Sequence, residues 1–247
     1  MNKKKIIVPV VVLLAVLAAW EMVTRLANVP IYILPPPSHV AKAFFDPRTQ
    51  LLKHTYVTLG ESVCGLLIGS MIGLSLGVIL AESQSARLAF LPYIVGSNAV
   101  PVIAIAPLVV MWFGYGFLSR VLVSAFLCFF PLCINAYRGL QAADTHFREL
   151  FDVYGATRSQ YLLKARLPYA MPFLFAGGKL NATYAVIGAV VAEFIGTTAG
   201  LGYGMVHASY NLDTPRLWAY LVVSITMGIS FYSIVWILEF WYRRRYE

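Results

Sequence analysis

Charge is what this 247-residue chain has least of: Asp, Glu, Lys and Arg make up 12% of it, about half the share of a soluble domain. Together with a mean hydropathy of +0.73, that scarcity excludes a water-surrounded globule and points to lipid as the solvent. Cysteine is scarce too. Cys64, Cys128 and Cys133 form no Cys-x-x-Cys pair and have no histidine at ligand spacing, so no metal centre is expected and the three read as small buried hydrophobes. A phosphate-binding loop is missing: the one Gly-Lys pair, Gly178-Lys179, is followed by Leu180 inside an apolar segment. No cofactor is therefore expected in this chain. Acid is in short supply, giving a net charge of +8, but the cations sit at the ends of apolar segments, where they set orientation, and no nucleic-acid partner is expected.

What the chain has in abundance is apolar length. A hydrocarbon core of ~30 Å takes ~20 apolar residues per helix, so residues 1–247 hold about six crossings in one all-α transmembrane domain. The expected spans are 6–26, 57–81, 88–113, 119–137, 172–195 and 217–241, with a polar loop at 138–171. The first follows the basic run Lys3–Lys5 as a secretory signal would, but it continues past Trp20 and is read as a retained span. Glu21 and Arg25, one turn apart near its end, are placed to pair. Leu34-Pro35-Pro36-Pro37-Ser38 reads as a stiff extended run leading into a short surface helix over 40–45. In the second span Gly65, Gly69, Gly73 and Gly77 fall on one helix stripe, the pattern that lets another backbone come close in lipid. Pro92, Pro101 and Pro107 must kink or break the third, and broken helices at membrane depth are tolerated only against protein or a water-filled cavity.

With the amino terminus in the cytoplasm, Lys3–Lys5, Arg87, Arg138, the loop cations and Arg243–Arg245 fall inside. Arg25, Lys42, Arg48, Lys53, Arg120 and Arg216 fall outside. This two-to-one bias puts both termini and the 138–171 loop in the cytoplasm.

That loop is too polar to insert and too patterned for a linker. Leu150, Tyr154, Tyr161, Leu162 and Ala165 recur at helical spacing, and Gly155 and Pro168 punctuate them, which predicts two short helices with a tight turn between. Periodicity alone favours a surface helix pair that merely connects two spans. Glu149-Leu150-Phe151-x-x-x-Gly155, followed by Leu167-Pro168, resembles the cytoplasmic EAA loop of ABC importer permeases, with Leu150 and Phe151 in place of two alanines and Ala165 in place of an isoleucine. Gly155-Ala156-Thr157-Arg158 extends the match.

The resemblance covers nearly the whole chain. Leu34-Pro35-Pro36-Pro37-Ser38, Pro101 to Pro107 with Trp112-Phe113-Gly114, Gly188 to Glu193 and Gly200-Leu201-Gly202-Tyr203 look like the permease branch serving nitrate, taurine and alkanesulfonates, whose near relatives serve thiamine-pyrimidine precursors and riboflavin. It implies a type I ABC importer permease in a bacterial inner membrane that translocates a small solute by alternating access. It also implies a second permease copy or paralogue, two cytoplasmic ATPase subunits that bind the ATP and magnesium, and an extracytoplasmic solute-binding protein. On this reading Glu149 caps or bridges the loop helix, Gly155 makes the turn that lets the ATPase approach, and Pro168 ends a lever feeding the fifth span; Ala156, Arg158 and Leu167 belong to the same contact.

Ionisable and amide residues within spans are costly and therefore candidates for the pathway. Glu61, Asn135, Lys179, Asn181 and Glu193 make up this set, joined by Pro101 and Pro107 at the broken span. Membrane-interface placement is the competing explanation for Glu61, Lys179 and Glu193. Gly200 to Gly204 lacks the strand, helix and distal acid of a nucleotide fingerprint and reads as a tight turn, and Trp112, Phe113 and Tyr115 as an interfacial belt. A secondary transporter or channel would have no use for the patterned loop. An intramembrane hydrolase would need a nucleophile and a base in one layer, whereas His39, His54, His146 and His207 fall outside the expected spans.

Overall fold

A computed structural model describes the backbone of residues 4–246; the side chains of residues 4–6, 144–150, 152, 158 and 246 lie outside the described set. The described chain is helical throughout, with α1 (Lys4–Leu26), α2 (Pro37–Phe45), α3 (Leu51–Glu82), α4 (Gln84–Ser97), α5 (Val102–Phe113), α6 (Phe117–Val153), α7 (Arg158–Tyr161), α8 (Leu167–Glu193), α9 (Leu201–Tyr210) and α10 (Thr214–Tyr246). Among the described residues, five helices are long and apolar enough to cross a bilayer, and six if α4 and α5 together count as one crossing.

The expected third span is two helices bent by 102°. The break falls at Asn98–Val100, and Pro101 stands at the N-cap of α5, where its missing N–H leaves no bond unmade. Pro92 and Pro107 lie inside α4 and α5.

The centre of the bundle is α3, α6 and α8. Side chains of ordinary size cannot fit between α3 and α6: a Cβ on Gly77 would stand 2.6 Å from the Cys133 carbonyl oxygen, and one on Gly69 would meet Ala125 and Cys128. On the other side of α6, Ser124 Oγ donates to the Ala185 carbonyl at 2.9 Å, and Gly188 of α8 lies against the Ser124 backbone. The glycine stripe therefore seats α3 on α6 of the same chain. Cys128 and Cys133 are buried in this layer and all three thiols are free.

By contrast α1 is almost wholly exposed. It is held at one end by Glu21, whose carboxylate pairs with Arg25 at 2.5 Å and takes the Ser38 N–H of α2 at 3.0 Å, and by Trp20, whose ring lies tilted against Trp218 of α10 with centroids 4.8 Å apart.

Two expectations need correcting here. The 138–171 loop does not hold two separate short helices: α6, which carries the fourth expected span, runs on to Val153, because a polar sequence marks the edge of the lipid without removing a backbone hydrogen bond. Nor does Pro168 end a helix. It stands in the first turn of α8, directly after a π-helical turn over Leu162–Arg166 in which Leu167 N–H reaches the Leu162 carbonyl five residues back. The widened turn lets the backbone pass the proline and continue to Glu193.

Candidate functional site

Two constellations carry chemistry, at opposite ends of the bundle. At the loop end the chain reverses between α6 and α7. Gly155 has φ +64°, and the Ala156 N–H donates to the Phe151 carbonyl at 3.1 Å, which makes Gly155 the left-handed residue of a Schellman cap. Thr157 and Gln160 then close a capping box: Gln160 N–H donates to Thr157 Oγ1 (3.3 Å) and Thr157 N–H to Gln160 Oε1 (3.0 Å). Around Gly155 there is open space, so the turn presents bare backbone at the tip. Glu149 and Arg158 lie on this segment, but their side chains are outside the described residues. Ala156 is half-buried, and Leu167 and Pro168 open α8.

Inside the turn lies Arg166, 4% exposed. Its guanidinium pairs with Glu82 at the end of α3, its Nε donates to the Leu140 carbonyl of α6 at 3.2 Å, and its Cζ stands 5.8 Å from the Tyr161 ring.

At the α9 end the polar groups are buried. Gly200, at φ +118°, begins α9, whose first N–H groups have no partner within their own helix. Other helices supply the acceptors. Gly200 N–H donates to His54 Nδ1 (3.0 Å), Leu201 N–H to Thr58 Oγ1 (2.8 Å) and Gly202 N–H to Glu193 Oε2 (2.6 Å). Thr58 Oγ1 in turn donates to Glu193 Oε1 at 2.6 Å. A carboxylate at a helix N-terminus also meets the positive end of the helix dipole. Glu61, one turn further along α3, is fully buried with Arg120 Nε of α6 at 2.8 Å from its Oε1.

Glu193 is thus a cap for α9, and Gly200 to Gly204 start a helix and are not a tight turn. Local sequence hides this because the capping groups come from α3 and α8. His54 is corrected as well: it is buried within α3, and its Nδ1 is taken by a backbone N–H and is not free to activate a nucleophile. One signal was available, since His54, Thr58 and Glu61 continue the stripe of Gly65, Gly69, Gly73 and Gly77 at the same three- to four-residue spacing.

Above this cluster a cavity of about 560 Å³ is lined by Arg48, Lys53, His207 and Arg216, among others. A second cavity, of about 300 Å³, lies where α4 breaks, between Asn98, Asn135, Arg138, Leu180 and Tyr184. Asn135 is therefore the one pathway candidate that lines this second cavity. Lys179 is ion-paired with Glu239 of α10 at 2.7 Å, and Asn181 is buried with its Nδ2 donating to Ser70 Oγ of α3 at 2.9 Å. Those two fasten helices together, and Pro101 and Pro107 shape α5. Sequence reasoning missed Arg120, Arg166, Glu82 and Glu239 as partners of buried charge.

The described residues form a helical membrane bundle with a broken span, a cavity at the break and a projecting capped turn. Residues 69–244 match the family described as "Binding-protein-dependent transport system inner membrane component", and the chain belongs to it. It is a permease component and not an enzyme. The chain is 36% identical to a "Probable ABC transporter permease protein" of Haemophilus influenzae, over 96% of this chain and 97% of that one. It is 32% identical to the "Formylaminopyrimidine transport permease protein ThiX" of Halalkalibacterium halodurans (94% and 92%) and 34% to the "Riboflavin transport system permease protein RibX" of Chloroflexus aurantiacus (93% and 86%). The fold matches a chain in an inward-facing structure of the MetNI methionine ABC transporter with a TM-score of 0.61 at 19% identity, over 77% of this chain and 97% of that chain.

Proposed function

We propose that this permease couples ATP hydrolysis by separate subunits to the passage of a small solute, and that the turn at Gly155 is where those ATPase subunits dock. The observation that carries the reading is mechanical: α6 leads into the turn and a helical backbone leads out of it into α8, so a push on the turn is a push on two central helices. On this reading the turn and both termini face the cytoplasm of a bacterial cell, and the α9 end faces an extracytoplasmic solute-binding protein. A second permease copy or paralogue completes the pathway. The solute is a small anion of the sulfonate, taurine or nitrate type, or a thiamine-pyrimidine or riboflavin-like ring. Arg138, the amides of Asn98 and Asn135 and the Tyr184 ring around the cavity at the α4 break suit either a charged group or a planar one.

The test compares Gly155→Trp with wild type. A side chain at φ +64° strains the cap, by about 1 kcal/mol, and fills the open tip without touching the bundle. The expected outcome is normal membrane abundance with loss of copurified ATPase and of solute uptake. Normal association together with normal uptake would refute the docking assignment.

A further inference from the structure

We infer that Arg166 is the positioning residue that makes α3 move with the docking turn, a proposal that rests on the coupling reading above. Motion of the turn reaches α6 and α8 through continuous backbone. It has no such path into α3, whose chain leaves the bundle at Glu82 and turns into α4. The glycine seam lays α3 against residues 124–137 of α6 but does not reach the docking segment. Arg166 bridges that gap. It sits in the π-helical turn, an element with one extra residue per turn and a common site of bending. From there its planar guanidinium holds three groups from three directions: the Glu82 carboxylate of α3, the Leu140 carbonyl of α6 and the face of the Tyr161 ring of α7. Tyr161 in turn packs against Phe151 at the end of α6, ring centroids 5.3 Å apart. A line of contacts therefore runs from the last turn of α6, beside Gly155, through Tyr161 and Arg166 to the end of α3.

A guanidinium is dehydrated at a cost unless it is paired, so burying one here for helix packing alone would be a poor use of an arginine. Fixing the π turn to α3 gives it a role. Without the tie, a displacement of the turn is absorbed by bending at Leu162–Arg166; with it, α3, α6 and α8 travel as one body.

The experiment uses the complex with its copurified ATPase subunits in proteoliposomes. Spin labels are placed on Ser159→Cys, in the docking segment, or on Ile79→Cys, exposed on α3, in a Cys64→Ser background. Spectra are compared between the nucleotide-free and the ATP–vanadate-trapped state. In the otherwise unmodified complex both labels respond. In Arg166→Gln and in Glu82→Gln the Ser159 label keeps its response, while that of the Ile79 label falls by about five-fold or more. The exchange Arg166→Glu with Glu82→Arg restores it. Glu82 is partly exposed, so Glu82→Gln tests the tie even if Arg166→Gln assembles poorly. An undiminished Ile79 response in the variants overturns the proposal, as does loss of both responses that the charge exchange fails to restore. Absence of any response at Ser159 in the unmodified complex instead overturns the coupling reading itself.

Discussion

At the α9 end, three consecutive backbone N–H groups are met by side chains of two other helices, and the buried Glu61 is met by the half-buried Arg120 guanidinium. At the loop end, two long helices run on beyond the bundle to a bare turn, and one arginine ties them to a third. Both ends use charge sparingly. The difference lies in redundancy: removing one of the α9 caps leaves others that hold α9 against α3 and α8, whereas the loop end is a projecting lever that, among the described residues, Arg166 ties to α3. On the proposed reading the first end stays fixed and the second moves.

The comparison is broken most directly at Arg120. Arg120→Ala leaves Glu61 fully buried without its counter-ion, and loss of one member of such a pair costs about 3–5 kcal/mol. Folded protein in the membrane, measured by size-exclusion fluorescence, is expected to fall severely, and Arg120→Ala combined with Glu61→Gln to recover part of it. Abundance unchanged in Arg120→Ala would mean that the α9 end is not held by its buried charge. A smaller effect is expected midway between the ends. Gly73→Leu drives a side chain into the Phe129 and Cys133 backbone of α6, where overpacking costs about 1–3 kcal/mol, and the melting temperature of the purified protein in detergent should drop. The same substitution at Gly228, with open space around it, is the control that should leave melting near wild type. The smallest effect is at Asp46, next to α2. The Arg48 backbone N–H, and after it the nearby Arg216 guanidinium, hold the Asp46 carboxyl below its ordinary value of 3.8. A depressed folded value means that the contribution is complete above pH 3.8 and fades as the pH falls towards the lower folded value. In acid melts over that window, stability should fall slightly less with pH in Asp46→Asn than in wild type, and no difference between the two would show that the Asp46 carboxylate and its contacts with Arg48 and Arg216 add nothing.

How much of this could be read in the residues varied with how local the cause was. Apolar length marked the membrane helices, glycine spacing marked the close approach, and the box of Thr157 and Gln160 was there to be found. Helix ends were misread where polarity was taken for a stop, as after Tyr137. Gly200 to Gly204 was misread because a glycine-rich start looks like a turn until His54, Thr58 and Glu193 arrive from elsewhere. Buried charge was recognised residue by residue at Glu61, Lys179 and Glu193. Its partners Arg120 and Glu239 are far along the chain, and only packing brings them together.

The glycine seam between α3 and α6 has one more consequence. Conformational switching between packed helices relies on side chains exchanging one interdigitation for another. A seam of bare backbone against backbone has no interlocked side chains to free, so it fixes the distance between α3 and α6 and leaves the angle between them to the contacts at their ends. Rearrangement during transport then has four places to act: that angle, the break between α4 and α5, the π turn, and α8 against α10, where Lys179 and Glu239 are long enough to stretch and re-form.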